Sequence, residues 1–162
     1  MSSHRHEPTI AADPLDLGPG PEHLTVTAWW DPTLAVQGVD PRDPYAERFW
    51  LGIVGPSTLL LLRRLARGLE EHPSGFRIAV ADTARALGLG AGRGRNGPLN
   101  RTVDRACAFG LARRRAPDRL EVRTHLPPLT ARQVAQLPEA LRIAHDAWQR
   151  SRDSRPTGPR AA

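Results

Sequence analysis

Two short stretches of this 162-residue chain carry side chains suited to reading and gripping a phosphate polymer. Around position 100 the order is Arg93, Arg95, Asn96, Asn100, Arg101, Asp104, Arg105. Around 115 it is Arg113, Arg114, Arg115, Arg119, Arg123. A guanidinium can hold guanine O6 and N7 in a two-bond fork, and an asparagine amide can do the same for adenine N6 and N7. Eleven of the 23 arginines lie between Arg77 and Arg123 against four acids, a local charge of +7, whereas residues 1–76 sum to −4 and residues 124–162 to +3. Concentrated positive charge on a small scaffold is the footprint of a nucleic-acid binder, so the modest +6 of the whole chain conceals a basic module.

Other chemistries are poorly served. Gly92-Arg93-Gly94-Arg95-Asn96-Gly97 satisfies GxGxxG, but it follows a helical pattern and lacks the strand that a dinucleotide site needs. The chain has no lysine, so a Walker A phosphate loop is excluded. His4 and His6 at i, i+2 have no further ligand nearby, which argues against a metal site. His23, His72, His125 and His145 share no motif with acids or nucleophiles, and His145-Asp146 reads as surface or packing. Cys107 reads as an inert thiol at the inner margin of a helix, and one cysteine permits no internal disulfide. No enzyme activity, cofactor or metal is expected. The N-terminus lacks a signal-peptide pattern and the longest aliphatic run, Leu59–Leu62, is far too short to span a bilayer, so a cytoplasmic location is expected.

The elements that must position these residues follow from periodicity. Leu99, Val103 and Ala106 form the inner stripe of a helix over 98–109, opened by Pro98 and stopped by Gly110. Its opposite side would present Arg101, Asp104, Arg105 and Ala108, with Asn100 beside them. Before it, Phe76, Ile78 and Val80 alternate as a strand, and Val80, Ala84 and Leu87 make a helix closed by Gly88 with Leu89 folding back. After it, residues 111–125 read as a hairpin turning at Ala116-Pro117-Asp118, with Leu111, Leu120 and Val122 inward. Residues 57–71 form the strongest helix, with leucines on several faces; its surplus leucines leave room for a homodimer contact.

Flanking these, residues 24–30 alternate as a strand, Asp-Pro steps at 31, 40 and 43 mark a loop, and Tyr45, Phe49, Trp50, Ile53 and Val54 line a short helix. Thr130 with Gln133 is a capping box, and a last helix beyond Pro138 carries Leu141, Ala144, His145 and Trp148. Trp29, Trp30, Trp50 and Trp148 are expected to pack these terminal elements onto the core. Five regions result: a disordered tail over 1–21, a strand-and-helix extension over 22–55, a core over 56–126, C-terminal helices over 127–150 and a disordered basic tail over 151–162.

The passage VADTARALGLGAGRGRNGPLNRTVDRACAFGLARRRAPDRLEVR resembles the winged helix-turn-helix superfamily. DPRDPYAERFWLGIVGPSTLLLLRRLA, RACAFGLA and LPPLTARQVAQLP more narrowly resemble a group of small actinobacterial proteins. The resemblance covers roughly residues 24–150. It implies a mainly α fold with a small β-hairpin wing (α+β), extra N- and C-terminal helices, and a DNA-binding role. The turn from Gly88 to Gly97 is longer than that of a simple helix-turn-helix. On this reading helix 98–109 reads bases through Asn100, Arg101, Asp104 and Arg105. Arg93, Arg95, Asn96, Arg113, Arg114, Arg115, Arg119 and Arg123 contact the backbone or minor groove, and the partner is double-stranded DNA in the nucleoid. The competing reading is an adaptor for an acidic protein partner, contacted through the acidic N-terminal half and the helix around Trp50.

Overall fold

The computed structural model describes residues 20–90, 92 and 94–154 and is an α+β fold of seven α-helices and one four-stranded mixed sheet. In chain order the elements are β1 (His23–Trp29), α1 (Pro32–Gln37), a π-helical segment (Ala46–Trp50) continuing into α2 (Leu51–Val54), and α3 (Pro56–Glu71). Then come β2 (Phe76–Ala79), α4 (Val80–Ala86), α5 (Pro98–Ala108), β3 (Ala112–Ala116), β4 (Arg119–Arg123), α6 (Ala131–Ala135) and α7 (Glu139–Asp153). The tails expected over 1–21 and 151–162 fall mostly outside the described residues, as do His4 and His6, but α7 carries helix as far as Asp153. None of the described helices is long and apolar enough to cross a membrane.

Local signals account for most element ends. After α4, Gly88 takes φ +69°, the Leu89 N–H returns to the Ala84 carbonyl at 2.8 Å and the Gly88 N–H to the Arg85 carbonyl at 3.0 Å. After α5, Gly110 at φ +67° repeats the closure, with Leu111 N–H on Ala106 at 2.9 Å and Gly110 N–H on Cys107 at 2.9 Å. Both satisfy the orphan carbonyls of a helix end through a left-handed glycine that pays no Cβ penalty. Thr130 and Gln133 form the expected reciprocal cap on α6.

One stretch read as loop contains a helix. Asp31 accepts from the N–H groups of Thr33 (3.0 Å) and Leu34 (3.2 Å), and Pro32 occupies the first turn of α1. An Asp-Pro step is also a helix start, because the carboxylate caps and the proline is pre-set in φ. The helix around Trp50 differs too, since its first five residues, Ala46–Trp50, take the wider π winding, which leaves Ala46, Phe49 and Trp50 all buried.

The strand order is β2-β1-β4-β3. β1 runs antiparallel to β2, with Leu24 opposite Ile78, and parallel to β4, with Val26 opposite Leu120 and Trp29 opposite Arg123. The N-terminal strand therefore lies in the middle of the sheet, between β2 and β4. Leu24, Val26, Leu120 and Val122 are fully buried and by alternation share one face. The central helix α3 packs against β1 and β4, and α5 packs against β3. Leu59, Leu61, Leu62, Leu65 and Leu69 of α3 are buried, and only Leu60 of its leucine run is half exposed.

Candidate nucleic-acid interface

Helix α5 keeps Leu99, Val103 and Ala106 in the core and turns Arg101, Asp104, Arg105 and Ala108 outward, as its periodicity implies. Asn100 departs from expectation. It is only 3% exposed, its amide donates to the Gly94 carbonyl at 2.8 Å, and its Oδ1 accepts from Arg114 Nη2 at 3.1 Å. Its hydrogen-bonding capacity is spent on closing the turn before α5 and on docking the hairpin, so the amide is a structural tie and does not face bases. A large side chain reaching across from β3 is what covers it, and no spacing rule within α5 anticipates that.

Arg105 is also committed. Nε donates to the Val54 carbonyl at 2.6 Å and Nη2 to the Ile53 carbonyl at 3.0 Å, while the guanidinium carbon lies 5.4 Å from the Phe109 ring centroid. It completes the C-terminal end of α2, where carbonyls lack helical partners, and so joins α2 to α5. Asp104 pairs with Arg114 Nε at 3.1 Å and remains well exposed. Arg101 is exposed and has no salt bridge among the described residues.

The hairpin sends its arginines to two different sides. Arg114 lies opposite Leu120 and reaches inward to α5. Arg113 lies opposite Glu121 and, with Arg115, pairs with that carboxylate on the outer face of the sheet. The hydrogen bond from Arg113, with Arg115 adding to it, holds the Glu121 carboxyl below the usual carboxylate range against the opposing effect of desolvation. Arg123 donates to Asp31 at 2.6 Å and to the Gly110 carbonyl at 2.9 Å, and its hydrogen bond is the main reason the Asp31 carboxyl is also held low. Arg113 and Arg123 both lie over the Trp29 ring, at 4.2 and 3.8 Å from its centroid. Arg119 is exposed beside them, and Arg77 of β2 faces the same way across Thr25.

The basic residues thus do not share one surface. Arg95, Asn96, Asn100, Asp104, Arg114 and Pro117 do line one hollow of about 280 Å³, which unites the turn before α5, the start of that helix and the tip of the hairpin. Arg101 lies on a neighbouring hollow with Arg105 and the Val54–Thr58 junction. Arg93 lies outside the described residues. Arg113 and Arg123, by contrast, are held on the sheet's outer face by Trp29, Glu121 and Asp31.

The tryptophans divide similarly. Trp50 is buried, with Nε1 donating to the Pro127 carbonyl at 3.1 Å, so the tryptophan packs the helix around it onto the core. Trp148 packs on Tyr45 at 4.1 Å between ring centroids, whereas Trp30, expected to pack inward, is 69% exposed. Cys107 is half-buried, and burial pushes its thiol up, away from the reactive thiolate.

A charge cluster on α3 went unread in the sequence. Arg63, Arg64 and Arg67 stand at i, i+1 and i+4, a spacing that places them along one side of a helix, but the net acidity of residues 1–76 concealed them. They line a groove of about 690 Å³ against β2. No protein-family model, no curated protein and no solved structure matches the chain.

Proposed function

We propose that this chain is a non-enzymatic duplex-DNA-binding protein of winged-helix type, acting as a transcriptional regulator or nucleoid-associated factor. The observation that carries the reading is the gathering, at one end of the molecule, of the Arg95-Asn96 turn, the start of α5 and the hairpin tip around Pro117. The order helix, strand, helix, helix, hairpin over α3 to β4 supports it. In this reading Arg101 reads base edges, Asp104 and Arg114 act as a joined pair beside it, and Arg95, Arg115 and Arg119 meet phosphates. Arg115 shares the single Glu121 carboxylate with Arg113, and an exposed pair of this kind is weak enough to exchange for a phosphate.

The test is an electrophoretic shift with random-sequence duplex pools across a salt series. With about four phosphate contacts, affinity should fall by about a hundredfold between 50 and 200 mM salt. Arg101→Ala should flatten the preference among selected sequences. Absence of any duplex binding at low salt would remove the reading.

A further inference from the structure

A groove of about 690 Å³ lies between α3, β2 and the start of α4. Arg63, Arg64 and Arg67 come from α3 and Arg42 from the segment before the π helix; β2 forms the opposite wall, with half-buried Phe76 turned toward α3 and Arg77 directed to the other face of the sheet. Arg42 is neutralised by Asp40 at 2.7 Å and Glu70 at 2.6 Å, and Arg63 approaches Glu47 at 3.5 Å. Arg64, Arg67 and Arg77 are exposed and have no ion pair among the described residues. The two acids of the lining are Glu71 and Asp82, and Asp82 is already paired with Arg85. Arg64 and Arg67 stand side by side on this lining with no ion pair among the described residues to offset their mutual repulsion, and low-dielectric walls concentrate their field on an incoming anion.

We propose that this groove binds a nucleoside polyphosphate. Guanidinium forks match phosphate oxygens in geometry as well as charge. The volume lies within the range of small-ligand sites, about 300–1,000 Å³. Phe76 and Ile78 supply apolar surface for a planar base beside the arginines. Glu71 and Asp82 favour a ligand that ends inside the groove over a nucleic-acid strand, whose continuing phosphates would have to pass them. The inference is independent of duplex binding through α5, because Arg101 takes no part in this lining.

Calorimetric titration of the full chain with ATP, GTP, inorganic tripolyphosphate and a short single-stranded oligonucleotide tests it. Saturable one-site binding of a nucleoside triphosphate is expected, tighter than that of tripolyphosphate or the oligonucleotide. Arg64→Ala combined with Arg67→Ala should weaken it by at least about tenfold with the unfolding midpoint preserved, since both side chains are exposed. Arg101→Ala should leave nucleotide affinity unchanged while altering duplex binding. The proposal is overturned if neither nucleotide binds, if tripolyphosphate or the oligonucleotide binds as tightly, or if the α3 double variant binds nucleotide normally.

Discussion

At the scale of single residues, the informative groups are those whose polar atoms are already spoken for. Asn100 joins the Gly94 carbonyl to the Arg114 guanidinium from a buried position. Asn100→Ala strands both partners, so chemical denaturation should show a loss of about 1–3 kcal/mol. Arg101→Ala, at an exposed site with nothing to strand, should stay within about 0.5 kcal/mol of the parent. Tyr45 and His145 form the second such pair. The Leu129 N–H donates to the Tyr45 hydroxyl at 3.2 Å, and the same hydroxyl lies 2.9 Å from His145 Nε2. Protonating the ring makes both of its nitrogens donors, and the buried Nδ1 has no hydrogen-bond partner among the described residues. Desolvation holds the His145 pKa below its ordinary 6.5, with Asp146 pulling weakly the other way. Because the folded chain takes up this proton less readily than the unfolded one, the neutral ring's contribution is complete above 6.5. It is lost as pH falls below 6.5 toward the depressed folded value, by at most about 1.4 kcal/mol per pH unit. Denaturation midpoints measured across that range should fall on the acid side, and His145→Gln should flatten the dependence.

At the scale of elements, β1 has the largest consequence. It bonds to β2 on one side and β4 on the other, so the hairpin meets the rest of the sheet only through it. Gly75, at φ +104°, makes this approach possible, since a Cβ there would lie 2.7 Å from the Val26 carbonyl oxygen. Leu24→Ala should therefore cost about 2–5 kcal/mol in denaturant titration, as for any core leucine. A cost below about 1 kcal/mol would mean that the strand is peripheral. The alternation of residues 24–30 made the strand legible, but its neighbours were not. Both edges of β1 offer the same unpaired backbone groups, and only packing across the sheet selects partners. Helix ends were legible for the opposite reason, since Gly88, Gly110 and Thr130 act on atoms no more than five residues away. Helix α1 escaped notice because Asp31-Pro32 serves turns and helix starts equally well.

At the scale of the whole molecule, the arginines separate into an α5–hairpin-tip group, a sheet-face group around Trp29 and a groove group on α3. Their roles should separate likewise. Arg115→Ala with Arg119→Ala should weaken duplex binding to all sequences and reduce the salt slope by about 1–2, read from shift assays. Arg113→Ala with Arg123→Ala should leave duplex affinity nearly intact and lower the unfolding midpoint, because those side chains cover Trp29 and tie Asp31 to the sheet.

From the chain alone came the helices and strands other than α1, their glycine and proline boundaries, the outward side of α5 and the positive balance of the chain's middle third. These depend on hydrogen bonds and periodicities confined to a few neighbouring residues. Folding in three dimensions decided that β1 divides β2 from β4, that Asn100 and Arg105 hold the protein together, and that arginines counted within an acidic segment line a groove against β2. Those outcomes arise from contacts between residues 14 to 94 positions apart, where loop closure and side-chain packing choose among arrangements that local pattern leaves equivalent.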